Sequence, residues 1–201
     1  MTTSPAGARR SRLGLIGLAA LFFVPLALSF LLYYGTSWRP SGTTQHGDLI
    51  EPPRPLPAIP LVPVTGGPAQ AEGLRGAWHL VYLGPADCGQ PCRDSLVLTR
   101  QVRLALDKDV TRVRRVYLYP GEASPAGALA TEHPDLLLAS LAGEAGAGLL
   151  AEFPKGAAAA EAGQWFLVDP LGNLMMAYPA DVTPKGLLKD LERLLKLSHI
   201  G

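Results

Sequence analysis

The sequence predicts an α/β domain that follows one apolar N-terminal helix and a proline-rich linker. Three observations predict this organisation. An uncharged apolar run near the N-terminus is long enough to be a membrane helix. A segment with too many prolines for a helix or a central strand follows it. Beyond that, short apolar runs typical of buried strands alternate with stretches whose apolar residues recur every three or four positions. We therefore expect one domain, residues 74–201, behind a helix at 13–34 and a linker at 35–73.

The apolar run at residues 13–34 is interpreted as an uncleaved membrane anchor. As a helix it would cross the roughly 30 Å apolar core of a bilayer, and Pro25 is tolerated in membrane helices. The charges before it are all positive, which predicts that residues 1–12 are cytoplasmic. Aromatic residues mark the far end: Tyr33, Tyr34 and Trp38. The alternative is a signal peptide, but no small-x-small cleavage site follows the run. This predicts a single-pass inner-membrane protein whose domain lies in the periplasm.

The linker, residues 35–73, should be extended and partly polyproline II. Its prolines include Pro52, Pro53, Pro55, Pro57, Pro60 and Pro63. It also contains more apolar residues than a solvated spacer needs: Leu49, Ile50, Ile59, Leu61, Val62 and Val64. We therefore expect part of it to pack along the domain as an edge strand. His46 is interpreted as a solvated side chain.

Within the domain, residues 80–83 and 113–119 are predicted to be strands on either side of a helix over about 93–106, which makes a right-handed βαβ unit with parallel pairing. Residues 121–163 should contain one or two short helices, one opening near Pro134 and one around 149–153. The turn sequence at 170–173 joins a predicted hairpin of strands 165–169 and 174–178. Thr183 and Pro184 open a last amphipathic helix. The order strand, helix, strand, helix, hairpin, helix is thioredoxin-like.

Charge and motifs argue against several function classes. The chain has 18 basic and 17 acidic residues, a formal net charge of +1. No basic stripe with interleaved aromatic residues indicates nucleic-acid binding. A Gly-rich phosphate loop, a Ser-His-Asp constellation and an HExxH motif are all missing from the sequence.

The only two cysteines, Cys88 and Cys92, lie at the predicted junction between the first strand and its helix. Backbone N–H groups and the dipole at a helix start favour thiolates, although the adjacent Asp87 opposes them. Four residues apart on one turn, the sulfurs could form a disulfide or bind one soft metal ion. The alternatives are a structural disulfide or two inert buried thiols. A redox or metal site is favoured, because loops carry sites more often than cores do and structural disulfides gain most by closing long loops.

Residues 74–84, a short loop and the Cys-x-x-x-Cys spacing resemble the Sco/SenC family, and so do residues 166–173. Members of that family are membrane-anchored thioredoxin-fold proteins that help to assemble the copper centre of cytochrome c oxidase. The resemblance covers about residues 70–197 and the anchor. It implies that Cys88 and Cys92 are the redox pair, or two thiolate ligands of Cu(I). It also implies a respiratory oxidase subunit, or another redox or copper assembly protein, as partner.

The sequence departs from the family pattern at two places. Arg93 follows the second cysteine where the family has a proline. The family's third copper ligand is a histidine, and the matching position falls near Glu161. His133, before Pro134, would replace that histidine as third copper ligand if its loop folds over the site. His79 is interpreted as a polar or edge position of the first strand.

The leading hypothesis is a Sco-like assembly factor whose Cys88 and Cys92 exchange disulfides or hold Cu(I) transiently. Cys88 is expected to be the attacking sulfur and Cys92 the resolving one. One alternative is a general periplasmic thiol–disulfide oxidoreductase, which would make the protein an enzyme. The other is a binding module whose disulfide is structural.

Overall fold

The computed structural model describes residues 5–35, 45–122, 126–198 and 200. It divides into residues 1–43 and residues 44–201. In the first unit, helix α1 (Pro5–Gly35) contains Pro25, and its Gly14–Gly35 part is long and apolar enough to cross a membrane. Trp38 of the expected aromatic belt lies outside the described residues.

The second unit is built on a six-stranded sheet of order β1-β6-β5-β2-β3-β4. The neighbours β2, β3 and β4 pair in parallel, whereas β5 pairs antiparallel with both β2 and β6, and β1 pairs antiparallel with β6. The strands are β1 (Asp48–Pro55), β2 (Trp78–Leu83), β3 (Val113–Tyr119), β4 (Leu136–Ser140), β5 (Gln164–Val168) and β6 (Asn173–Tyr178). This mixed sheet with helices confirms the predicted α/β class.

Five α-helices and one 3-10 helix are described around the sheet. They are α2 (Gln90–Leu104), the 3-10 helix Asp107–Arg112, α3 (Ala126–Glu132), α4 (Gly143–Glu152), α5 (Gly156–Ala162) and α6 (Pro184–Leu197). Helix α6 starts as the sequence predicts, because the Thr183 side chain accepts a hydrogen bond from the Gly186 N–H at 3.2 Å. Pro184 fills a first-turn position, where its missing N–H costs nothing.

Successive side chains of each strand point to opposite faces of the sheet, so a hydrophobic core forms on each face. Leu80 and Tyr82 of β2 point to the face that contains Cys92 of α2 and Leu191 of α6. The intervening Val81 points to the opposite face, whose buried residues include those of α4 and α5. The second cysteine is therefore part of the first hydrophobic core.

Residues 48–55 form the edge strand β1, whose exposed side chains include three prolines. Proline is tolerated at a sheet edge because it removes no ladder hydrogen bond from the interior. The residues before β1 are attached to α6, where the Asp190 carboxylate accepts hydrogen bonds from the backbone N–H of His46 at 2.8 Å and of Gly47 at 3.1 Å. His46 is exposed, as predicted, with 42% of its side-chain surface accessible, and its Nδ1 lies 3.2 Å from Asp190 Oδ1.

The described part of residues 121–163 contains three short helices, α3, α4 and α5, where one or two were expected. Two expectations about particular residues were also wrong. Residues 136–138 belong to strand β4 and not to a helix, because they pair in register with Arg115–Tyr117 of β3 and bury alternate side chains. His79 is neither a polar nor an edge position, because β2 lies between β3 and β5 and its side chain is fully buried. Helix α2 also begins at Gln90, three residues before the predicted start.

Candidate functional site

The site lies where β2 ends and α2 begins. Gly84 leaves the strand under the rings of Tyr82 and Tyr117, and any Cβ there would overlap both rings. The loop then reaches Gly89, the N-cap of α2, and Pro91 occupies the first turn. Cys88 therefore precedes the N-cap and Cys92 is the third residue of the helix, so the local sequence presents both sulfurs at one helix start.

Cys88 and Cys92 form a disulfide whose Cα atoms are 5.3 Å apart. This separation lies inside the usual range for a disulfide, so the four-residue spacing closes without displacing the helix. Since these are the only cysteines of the chain, no other sulfur of the protein can exchange with them.

The two sulfurs differ in accessibility. Cys92 is 4% exposed and belongs to the core cluster, whereas Cys88 is only partly buried at its edge. A thiolate of another molecule can approach Cys88 from solvent, and Cys92 is shielded by the domain. The geometry therefore distinguishes an accessible sulfur from an internal one.

The start of α2 favours negative charge at Cys88. Its first turn contains no acidic residue and no side chain caps it, so the positive end of the helix dipole is available to stabilise a thiolate. Arg93 adds a cation nearby: its Nε donates to the Cys88 carbonyl at 3.5 Å, and its Nη1 lies 3.8 Å from Glu132. Arg93 thus places a cation beside the accessible cysteine.

The interior side of the site is aromatic. The Tyr117 hydroxyl lies 3.6 Å from Cys92 Sγ and donates to the Pro85 carbonyl. Its ring contacts that of Tyr82 at 5.1 Å between centroids. Burial, with smaller contributions from the negative charges of its ionisable neighbours, raises the pKa of Tyr117, and burial raises that of Tyr82 to about 12. Both hydroxyls therefore stay protonated at neutral pH.

Within the described residues, no group of three or more His, Cys, Asp and Glu side chains is arranged to bind a metal ion. His133 is 2% exposed with neither ring nitrogen hydrogen-bonded, and burial followed by the Arg115 and Arg100 charges lowers its pKa. Glu161 is exposed at the end of α5. Among the described residues, the sulfurs of Cys88 and Cys92 are therefore the soft metal ligands that lie next to each other.

A known protein family matches the domain that carries the two cysteines. The model of the transmembrane-like, thioredoxin-like, C-terminal domain family matches residues 78–198, more than half of the chain. The chain belongs to this family. Its domain is therefore thioredoxin-like, as the element order predicted. No curated protein matches the sequence.

Solved structures show the same fold. Yeast Sco1 with copper bound is 17% identical, with a TM-score of 0.56 over 78% of this chain and 96% of that one. Arabidopsis thaliana ScoI with copper bound is 15% identical, with a TM-score of 0.55 over 76% and 99%. A DsbF homologue from Corynebacterium diphtheriae is 14% identical, with a TM-score of 0.53 over 78% and 96%. At these identities the similarity establishes the fold.

The sequence indicated the cysteines but not the residues that hold them. The sequence predicted Tyr117 only as an aromatic residue of a strand. Its contact with Cys92 depends on the pairing of β3 with β2. Trp165 was likewise predicted only as the first residue of a hairpin. In the structure its Nε1 donates to Ser95 Oγ at 2.6 Å and attaches α2 to β5. The available signal was the alternation of Tyr117 and Tyr119 in β3, which marks a face of the sheet but not a partner.

Proposed function

We propose that this membrane-anchored protein carries out thiol–disulfide exchange outside the cytoplasm through Cys88 and Cys92. One observation carries the proposal: a disulfide at the start of a helix joins an accessible sulfur to a buried one. Exchange needs a sulfur that a partner can reach and a second one that can resolve the mixed disulfide. A purely structural bridge needs neither property.

The exchange is reversible, and its reductive direction begins at Cys88. A partner thiolate attacks Cys88 Sγ, the Cys88–Cys92 bond breaks, and its electron pair leaves on Cys92 Sγ, which takes up a proton. The partner's second thiolate attacks its own sulfur in the mixed disulfide and releases Cys88 as a thiolate, which the start of α2 stabilises. The partner becomes a disulfide and the cysteine pair gains two electrons.

Within this chemistry we propose a Sco-like role in assembling the copper centre of a respiratory oxidase. The fold shared with copper-bound Sco proteins supports it, as does the apolar helix that would anchor the domain to a membrane. An oxidase subunit with copper-binding cysteines must keep them reduced to take up metal, which a dithiol donor would ensure. Copper itself would be cargo, because two soft sulfurs suit Cu(I) and a partner would complete its coordination.

Trapping of the mixed disulfide tests the exchange reaction. The reduced full-length Cys92→Ser variant is incubated with a disulfide-containing peptide that carries the copper-site cysteines of an oxidase subunit. We expect a stable adduct through Cys88, because the resolving sulfur is missing. The matched Cys88→Ser variant should form little adduct, since Cys92 is buried. Equal adducts in both variants, or an adduct in neither, would refute the assigned roles.

A separate titration tests the copper proposal. Reduced full-length protein is titrated anaerobically with Cu(I) in competition with a chromophoric chelator. We expect one equivalent to bind, and the Cys88→Ser/Cys92→Ser variant to bind none. His133→Ala should bind as the wild type does, because the flanking arginines oppose a cation at that ring. Binding that survives loss of both sulfurs would contradict a copper role for this pair.

A further inference from the structure

The Tyr117 hydroxyl occupies a position between the loop and the buried sulfur. It donates its proton to the Pro85 carbonyl, which fixes the loop that leads to Cys88. On its other side, the oxygen is 3.6 Å from Cys92 Sγ. The side chain is fully buried, so water does not compete for either contact.

This arrangement has different consequences in the two redox states. A disulfide sulfur carries no proton and is a weak acceptor, so it gains little from the hydroxyl. A Cys92 thiol can donate to Tyr117 Oη, whose own proton stays on the Pro85 carbonyl. This hydrogen bond exists only after reduction, so the hydroxyl stabilises the dithiol selectively.

We propose that Tyr117 is a positioning residue that holds Cys92 as the internal sulfur and shifts the Cys88–Cys92 equilibrium toward the dithiol. The inference rests on the proposed exchange function. When a partner thiolate attacks Cys88, the electron pair of the broken bond arrives on Cys92 Sγ next to this hydroxyl. The proton that completes the thiol comes from solvent or from the partner's thiol, while Tyr117 keeps its own.

The other polar groups around the pair do not replace this contact. Tyr82 packs its ring against Tyr117, and Tyr119 Oη is buried without a hydrogen-bond partner. Asp87 is exposed on the loop, and the Arg93 guanidinium is attached to the Cys88 carbonyl and Glu132. Among the polar contacts of the described residues, the Tyr117 hydroxyl is the group that lies near Cys92 Sγ.

The test compares Tyr117→Phe with Tyr119→Phe. Each variant removes one buried hydroxyl from the same face of β3 and keeps the ring, but the Tyr119 hydroxyl has no hydrogen-bond partner among the described residues. The measured quantity is the dithiol–disulfide equilibrium constant of the full-length protein against glutathione. One net hydrogen bond corresponds to an equilibrium shift of about three- to tenfold, and we expect Tyr117→Phe to move it toward the disulfide, by about 15–30 mV. Tyr119→Phe should match the wild type.

The outcomes separate this inference from the proposed function. If the wild type exchanges with glutathione but Tyr117→Phe has an unchanged equilibrium, or one shifted toward the dithiol, the role of Tyr117 is wrong and the exchange function remains. If the wild-type disulfide does not exchange with glutathione at all, the proposed function fails first. Circular dichroism of both variants identifies a loss of fold, and Tyr117→Thr, which keeps a hydroxyl without the ring, should not restore the equilibrium because that hydroxyl is too far from the sulfur.

Discussion

Asp190 and His46 lie 144 positions apart in the sequence, yet the carboxylate of one accepts a hydrogen bond from the backbone of the other. Asp190 is 3% exposed and also accepts from the Gly47 N–H and from the Tyr178 hydroxyl. His46 packs directly on Gly186, where a Cβ would meet its ring. One buried carboxylate in the last helix therefore holds the start of the first strand on the domain.

Replacing Asp190 with Ala should lower the free energy of unfolding by about 2–3 kcal/mol, because two backbone N–H groups lose a charged acceptor. The amides of His46 and Gly47 should also exchange hydrogen faster than the amides of β2. Chemical denaturation and hydrogen exchange measure the two effects. Glu192→Ala, at an exposed position of the same helix, is the matched control and should change neither. An Asp190→Ala protein as stable as the control would show that the attachment contributes nothing.

Replacing Thr183 with Ala should cost about 1 kcal/mol, because the Gly186 N–H loses its capping oxygen. Thr183→Ser keeps the oxygen and should recover most of the loss. The two variants are compared by thermal unfolding under one set of conditions. If serine behaves like alanine, the capping bond does not stabilise α6.

His79 should make stability depend on pH. Burial, followed by the Arg114 charge, lowers its pKa from 6.5 to about 4. Between these values the unfolded chain binds a proton that the folded protein does not, so the free energy of unfolding falls as pH decreases from 6.5 to 4 and levels off below. The shift corresponds to a loss of the order of 3 kcal/mol.

The measurement is a series of denaturation curves between pH 4 and pH 7 for the wild type and His79→Leu. The variant should lose much of the slope in this window, while His133, whose pKa is also lowered, contributes in the same direction in both proteins. A His79→Leu protein with the full wild-type slope would rule out His79 as its source.

The buried guanidinium of Arg115 predicts an asymmetric mutational response. Arg115 is fully buried, its Nη1 lies 3.2 Å from both Asp135 oxygens, and its Nη2 donates to the Leu96 carbonyl at 2.6 Å. Asp135→Ala leaves that buried cation without its counter-ion, whereas Arg115→Met leaves Asp135 near Arg103 at 3.6 Å.

Breaking a buried pair costs about 3–5 kcal/mol, and the partial exposure of Asp135 should reduce that to about 2–3 kcal/mol for Asp135→Ala. Arg115→Met should cost less, and the double variant should be more stable than Asp135→Ala alone. Denaturant titration of the three proteins checks the order. If Arg115→Met is the most damaging change, the pair is a net source of stability.

Patterns within one element were enough to predict β3, the hairpin and α6. Strand β3 has the predicted bounds, because a run rich in valine and tyrosine that ends at Pro120 allows few alternatives. Helix α6 was specified by Thr183, Pro184 and its leucine spacing. Each of these signals is local, so a single sequence contains it.

Elements whose structure depends on neighbouring strands were harder to predict from the sequence. Residues 136–138 are three leucines after a proline, and such a short apolar run fits a helix or a strand equally well. Pairing with β3 decided between them. The position of His79 inside the sheet depends in the same way on β5, which pairs with β2 from far along the chain.

The residues of the site also differ in whether a local pattern or a distant pairing places them. Cys88 and Cys92 were recognisable from spacing and from the expected helix start. The contact of Tyr117 with Cys92 and Pro85 was not, because it depends on the register between β2 and β3. The attachment of His46 to Asp190 joins the two ends of the domain and has no sequence signature at all.

The reduction potential of the full-length protein tests the account most directly. Equilibration with glutathione or dithiothreitol buffers, read out by thiol alkylation of Cys88 and Cys92, gives the value. Exchange-competent disulfides have potentials between about −120 and −270 mV, whereas structural ones lie below about −300 mV. We predict a value in the first range, and a value below about −300 mV would show that the Cys88–Cys92 bond is structural.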